Sequence, residues 1–182
     1  MLDASEYLHL AIHASQAGDH HAALNYLSQA LTHEPGNASL IYFQAAEHAE
    51  LGLYDRASKG MAQALLLDET LDTARFQLGL LHLQLQRPRE AREAFASLAD
   101  RGQDEALRVF AQAYLALLAD DIPEARRHLE AGLAICANPA LKKDMTRILD
   151  SLSDAGAEAA TTQDAPEPVV YLGAYRDSLE PH

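Results

Sequence analysis

The sequence predicts an all-α fold: a right-handed α-solenoid of about four helix hairpins, with a C-terminal capping helix and an extended tail. Three observations carry this reading. The chain matches itself when shifted by 34 residues, with Ala23, Ala57, Ala91 and Ala125 falling in register without a gap. The same shift aligns a small residue (Ala11, Ala45, Gly79, Ala113) and a bulky apolar one (Leu27, Met61, Phe95, Leu129). Small residues at one place on facing helices let the axes approach to the lower end of the ~8–10 Å range. The bulky residue four places after each Ala lies on the same helix face and fills the space beside that contact.

Taken in order, the units fall at 4–37, 38–71, 72–105 and 106–139, each a helix A over its first half and a helix B over its second. Gly18 and Gly52 follow apolar-periodic stretches and precede the polar starts at Asp19 and Asp55, so they read as helix stop, turn and helix start. The equivalent places in the later units are Gln86 and Asp120. Pro88 and Pro123 stand near the starts of later B helices, where the missing N–H costs nothing. Pro35-Gly36-Asn37 closes the first unit as a loop. From Pro139 to Ser153, Leu141, Met145, Ile148, Leu149 and Leu152 recur at helical spacing, one apolar stripe suited to capping a solenoid end. The composition shifts at Asp154: residues 154–182 hold six acids against Arg176, and Ala165-Pro166-Glu167-Pro168 excludes a helix there. Inside this acidic tail sits an apolar strip, Val169-Val170-Tyr171-Leu172-Gly173-Ala174-Tyr175.

Composition bounds the function. Fourteen Lys and Arg against 27 Asp and Glu give a net charge of −13, the wrong sign for nucleic acid or an anionic membrane. One cysteine, Cys136, excludes a disulfide framework and a multi-cysteine zinc site, and it is expected to pack in a late helix. The N-terminus lacks the basic and apolar regions of a signal peptide, and the longest apolar run, Ala113 to Ala119, is far short of the roughly 20 residues that span a membrane. The expected location is cytoplasmic. His9 and His13 share a helix face and His20-His21 follow, but no carboxylate or thiol completes a ligand set, so these histidines read as surface groups. Arg87, Arg89, Arg92, Arg126 and Arg127 read as a solvated face paired with Glu90, Glu93 and Glu124. No phosphate loop, nucleophile elbow or isolated carboxylate pair occurs, so no catalytic residue, cofactor site or metal site is expected, and the chain does not read as an enzyme.

The A helices carry more apolar surface than one contact needs. At about 100° per residue, Phe76, Leu80 and Leu83 form one stripe, and Ala74, Leu78, Leu81 and Leu85 another on the opposite side. One stripe packs on neighbouring helices and the other faces something else.

The 34-residue pattern resembles the tetratricopeptide repeat. Leu78-Gly79 and Ala91-x3-Phe95 match its consensus in the third unit, and Ala23 with Pro35 match it in the first. Tyr7 replaces the early Trp, Gly132 stands where the family prefers Ala, and the later units lack the late Pro. The resemblance covers residues 4–139 and implies a protein–protein interaction module. It further implies that the second, fifth, ninth and twelfth positions of each A helix line a concave groove. Carried over, that register gives a peptide groove of Leu8, Ile12, Tyr42, Ala46, Ala49, Phe76, Leu80, Leu83, Phe110, Tyr114 and Leu117, with Ser5, Ser15, Ser39, Thr73 and Leu107 beside them. Family members that grip chaperone C-termini place cations and amides where this chain has Leu8, Ile12, Phe43, Thr73 and Gln77, so that specialisation is not expected.

The expected function is therefore noncatalytic: an adaptor, scaffold or chaperone that takes an apolar segment of a partner protein in its groove, or its own or a neighbour's tail. In size, acidity and groove character it is similar to bacterial secretion chaperones that hold hydrophobic translocators. Val169, Val170, Tyr171, Leu172 and Tyr175 form the candidate docking strip of the tail, and exchange of tails between chains would give a homodimer. The competing reading is a structural assembly factor that oligomerises through helix faces or exchanged tails.

Overall fold

A computed structural model describes residues 2–157, with side chains described through residue 153. These residues form helices α1 (Ala4–Gln16), α2 (His20–His33), α3 (Ala38–Glu50), α4 (Tyr54–Leu67), α5 (Asp72–Gln84), α6 (Pro88–Arg101), α7 (Glu105–Leu118), α8 (Ile122–Ile135) and α9 (Pro139–Ala157). Successive helices pack on one another throughout, with an additional contact between α5 and α7. The result is an all-α solenoid in which the odd-numbered A helices form one layer and α2, α4, α6 and α8 the other.

The period is written into the turns within hairpins. Gly18, Gly52, Gln86 and Asp120 all have positive φ, at 78°, 73°, 56° and 60°. Each closes a Schellman turn, the arrangement that satisfies the last orphan carbonyls of a helix. Gly18 N–H donates to the Ser15 carbonyl and Asp19 N–H to the Ala14 carbonyl, both at 2.9 Å. The same pair recurs at Gln86 with Leu83 (2.9 Å) and Arg87 with His82 (2.8 Å). The residue that completes each turn, Asp19, Leu53, Arg87 or Asp121, is also the N-cap of the following B helix. Asp19 and Asp121 accept from the backbone of Ala22 and Glu124 through their carboxylates. Pro88 and Pro123 occupy the first turns of α6 and α8, where no N–H is needed.

The small-residue column lies at the hairpin contact. A Cβ built on Gly79 would sit 2.6 Å from the Phe95 ring, and one on Gly60 2.8 Å from Ala45 Cβ. Side chains of ordinary size cannot occupy these points without moving the helices apart. The bulky column (Leu27, Met61, Phe95, Leu129) is fully buried. The A helices of the second to fourth units bury eight, six and six residues, and their B partners four, three and three. The A layer is thus the enclosed one, as expected for helices apolar on more than one side. Two core clusters result, one spanning α1 to α5 and the other α5 to α9.

α9 runs four residues beyond its expected end at Ser153, through Asp154-Ala155-Gly156-Ala157. The two alanines favour the helix by about as much as the glycine opposes it. Cys136 lies just past α8, buried, with its thiol 3.5 Å from the Asn138 carbonyl, and burial pushes it above the ordinary thiol range.

Candidate functional site

The direction each A-helix side chain takes follows from its angle to the small residue of the 34-residue column, which faces the B helix. At about 100° per residue, the fifth unit position lies about 60° away, the ninth about 100°, the second about 120°, the thirteenth about 140° and the sixth about 160°. The arc from about 100° to about 160° points away from the B helices and forms the inner face.

The expected groove residues divide between this arc and the seams between helices. Tyr42, Ala46, Ala49, Phe76, Leu80, Phe110 and Tyr114 are buried, while Leu8, Ile12, Leu83 and Leu117 are half-buried. The fifth-position residues, at about 60°, turn toward the B helices and the next unit rather than inward. Phe110 lies against Gly132 of α8. Phe76 meets Phe95 edge-on at 5.8 Å between centroids and Tyr114 at 5.7 Å, and Phe95 stacks on Tyr114 at 4.8 Å. Phe76, Phe95 and Phe110 thus pack in the seams between helices, and Tyr114 on the inner arc stacks against them. Tyr42 belongs to the same layer: its hydroxyl donates to Gln77 Oε1 at 3.1 Å, and burial raises its pKa well above the phenol range. Burial raises Tyr114 in the same direction, with the Asp144 carboxylate adding to the effect.

The inner arc itself changes along the solenoid. On α1 it is Ser5, His9, Ile12 and Gln16, of which only Ile12 is even half-buried. On α3 it is Ser39, Phe43, Ala46 and Glu50: the two middle residues are buried, Phe43 at 5% and Ala46 at 0% exposure, while the two ends are exposed. On α5, Gln77 and Leu80 are each 1% exposed between half-buried Thr73 and Gln84. On α7 the arc adjoins α9, which brings Leu141 and Met145 into the same cluster as Tyr114. Ile12, Ala46, Leu80 and Tyr114 thus stay on the inner arc, whereas Phe43 and Gln77 were not among the expected lining residues. The angular arithmetic finds both, since the sixth position points most directly away from the B layer.

Polar groups staple the first two units together. Ser15 donates to Glu47 Oε1 at 2.7 Å, and His20 Nδ1 lies 2.8 Å from Glu47 Oε2. Glu47 is 1% exposed, so the two contacts hold α1 and the start of α2 against α3 where an unpaired carboxylate would be costly. Elsewhere, Arg127 pairs with Glu124, whose carboxyl is held down to about 2 by that guanidinium, and Arg87 pairs with Asp55 at 2.7 Å. Among the described residues no group of three or more His, Cys, Asp or Glu is placed to hold a metal, and no helix is long and apolar enough to cross a membrane. His9 and His13 are exposed. Val169, Val170, Tyr171, Leu172 and Tyr175 lie outside the described residues.

No protein-family model matches the sequence, and no curated protein matches it. Solved structures do. A tetratricopeptide repeat protein from Parabacteroides merdae superposes with a TM-score of 0.67 at 18% identity over 86% of this chain. The chain spans 61% of that protein's length. The MamA protein superposes with a TM-score of 0.60 at 14% identity, covering 89% of this chain and 98% of MamA. MamA from Desulfovibrio magneticus RS-1, residues 41 to the end, gives 0.61 at 14% identity over 87% and 97% of the two chains.

Proposed function

We propose that this chain, which has the tetratricopeptide-repeat fold, is a noncatalytic protein–protein interaction module that holds an apolar peptide segment against the inner arc of α3 and α5. The role is that of an adaptor, scaffold or chaperone acting in the cytoplasm. One observation carries the reading: Phe43, Ala46, Gln77 and Leu80 point away from the B layer and are nevertheless buried. A helix that is apolar on every side must be covered on every side. Phe43 and Ala46 belong to the first core cluster and Leu80 to the second, so the arc joins the two. A peptide laid along it rests on Phe43 and Leu80 as apolar anchors, with the Gln77 side chain beside them. Seating one large apolar side chain there is worth about 1.5–3 kcal/mol.

The test replaces the anchors. Phe43→Asp and Leu80→Asp are expected to weaken capture of an apolar peptide by at least ~10-fold each, the equivalent of about 1.4 kcal/mol. Helical circular dichroism checks that the solenoid survives, and Leu66→Asp, at the 87% exposed Leu66 on the outer end of α4, serves as the control. Unchanged capture by both inner-arc variants refutes the proposal.

A further inference from the structure

We infer that the occupant of the inner arc is the chain's own strip, residues 169–175, folding back in cis, so that the module is self-capped until a partner's apolar segment displaces it. The inference rests on the function proposed above and adds the identity of the occupant.

The buried part of the arc is short. It covers the middle of α3 and α5 and stops before α1, where Ser5, His9 and Gln16 are exposed. Two adjacent A helices, at axis spacings of ~8–10 Å, offer a track of about 20 Å. Seven extended residues span about 23–25 Å, so Val169 to Tyr175 matches the track in length. The strip also matches in chemistry, being the apolar and aromatic run within residues 154–182.

The tether reaches. α9 takes the place of the next A helix after α7, so α5, where a strip ending at α3 begins, lies two A-helix steps back, on the order of 20 Å at the same spacing. The eleven residues 158–168 reach up to about 36–40 Å when extended. Pro166 and Pro168 deny a helix just before the strip, which keeps its approach extended. Charge agrees with the register. Arg176, the only Lys or Arg after Arg147, directly follows the strip, and Glu50 stands at the exposed C-terminal end of the α3 arc. A tether of this kind gives an effective concentration of order millimolar. For a segment of ~10 µM affinity, that suppresses binding of a competitor by roughly 100-fold.

The experiment keeps the chain full length. A fluorescein-labelled peptide of residues 165–178 is titrated into the wild type and into the double variant Tyr171→Asp/Leu172→Asp, which alters only the tail, with anisotropy as the readout. The inference expects the variant to bind the peptide roughly 100-fold more tightly than the wild type, and Glu50→Lys in the variant to reduce that gain. Equal, tight binding to both proteins overturns the cis occupant while leaving the proposed function standing. Binding to neither overturns both. Light scattering separates the remaining source: a wild-type dimer that the double variant converts to monomer assigns the arc to a neighbour's strip and overturns the inference.

Discussion

Replacing Gln86 by glycine is expected to stabilise the protein, although the substitution removes a side chain and touches nothing. Gln86 sits at φ 56° in the third hairpin turn, the column in which the first two units place Gly18 and Gly52. An L residue held in the left-handed region costs about 1–2 kcal/mol relative to its preferred conformations. Glycine removes that cost but adds about 0.5–1 kcal/mol of unfolded-chain entropy. The net gain is about 0.5–1 kcal/mol. Gln86 is exposed, and the Schellman bond it makes uses its backbone N–H, which glycine keeps. Asp120, at φ 60°, is expected to gain less, since aspartate tolerates this region better. In urea, with a slope of about 2 kcal/mol per molar, Gln86→Gly shifts the midpoint up by about 0.25–0.5 M with the slope unchanged. The reverse change, Gly52→Gln, moves it down by a similar amount. A midpoint that falls for Gln86→Gly, or that stays put for Gly52→Gln, refutes the reasoning.

Two glycine changes separate conformation from packing. Gly79→Ala forces a methyl to 2.6 Å from the Phe95 ring and is expected to cost about 1–3 kcal/mol in urea unfolding, despite better helix propensity. Gly18→Ala, with open space around it but φ 78°, is expected to cost about 1 kcal/mol with no change in the aromatic near-ultraviolet signal. Burial holds Asp144 above the ordinary carboxylate range; Arg147 lies 3.6 Å from its Oδ1, while its buried Oδ2 has no hydrogen-bond partner among the described residues. The folded state therefore binds this proton more tightly than the unfolded state, and Asp144 detracts from stability as pH rises above the unfolded value near 3.9. Asp144→Asn is expected to raise stability by about 1 kcal/mol at pH 7, with the gain vanishing toward pH 3; no gain at pH 7 contradicts this. Burial lowers His48 and His82, so the folded state binds fewer protons than the unfolded one, and stability is lost as pH falls below about 6.5 toward the lowered values. His82→Gln is expected to flatten that slope in thermal melts between pH 7 and pH 5.

The repeat was legible because each column has a local physical cause. Ala23 and its equivalents, Gly79 against Phe95, and the turn column each impose a residue type that recurs every 34 positions. The left-handed state of Gln86 and Asp120 was not legible from residue type, since neither demands it; only the shared column with Gly18 and Gly52 points there. The burial of the expected lining residues was not legible for a different reason. The large fifth-position residues Leu8, Tyr42, Phe76 and Phe110 suggested an aromatic channel, yet their angle to the small column turns them into the seams between helices. Phe43 and Gln77, two positions that the same angle places on the inner arc, look unremarkable in sequence because Phe, Gln and His alternate there without a common chemistry. The Ser15, His20 and Glu47 staple was invisible for want of any periodic signal, joining residues 27 and 32 apart once in the chain.

The most direct measurement maps the contact itself. Isotope-labelled Tyr171→Asp/Leu172→Asp protein is titrated with the 165–178 peptide, and amide and methyl shifts are followed by nuclear magnetic resonance. Shifts concentrated at Phe43, Ala46, Gln77 and Leu80 are the predicted result. Shifts confined to the outer surface around Gln44, Arg56 and Lys59, between α3 and α4, would contradict a binding face on the inner arc.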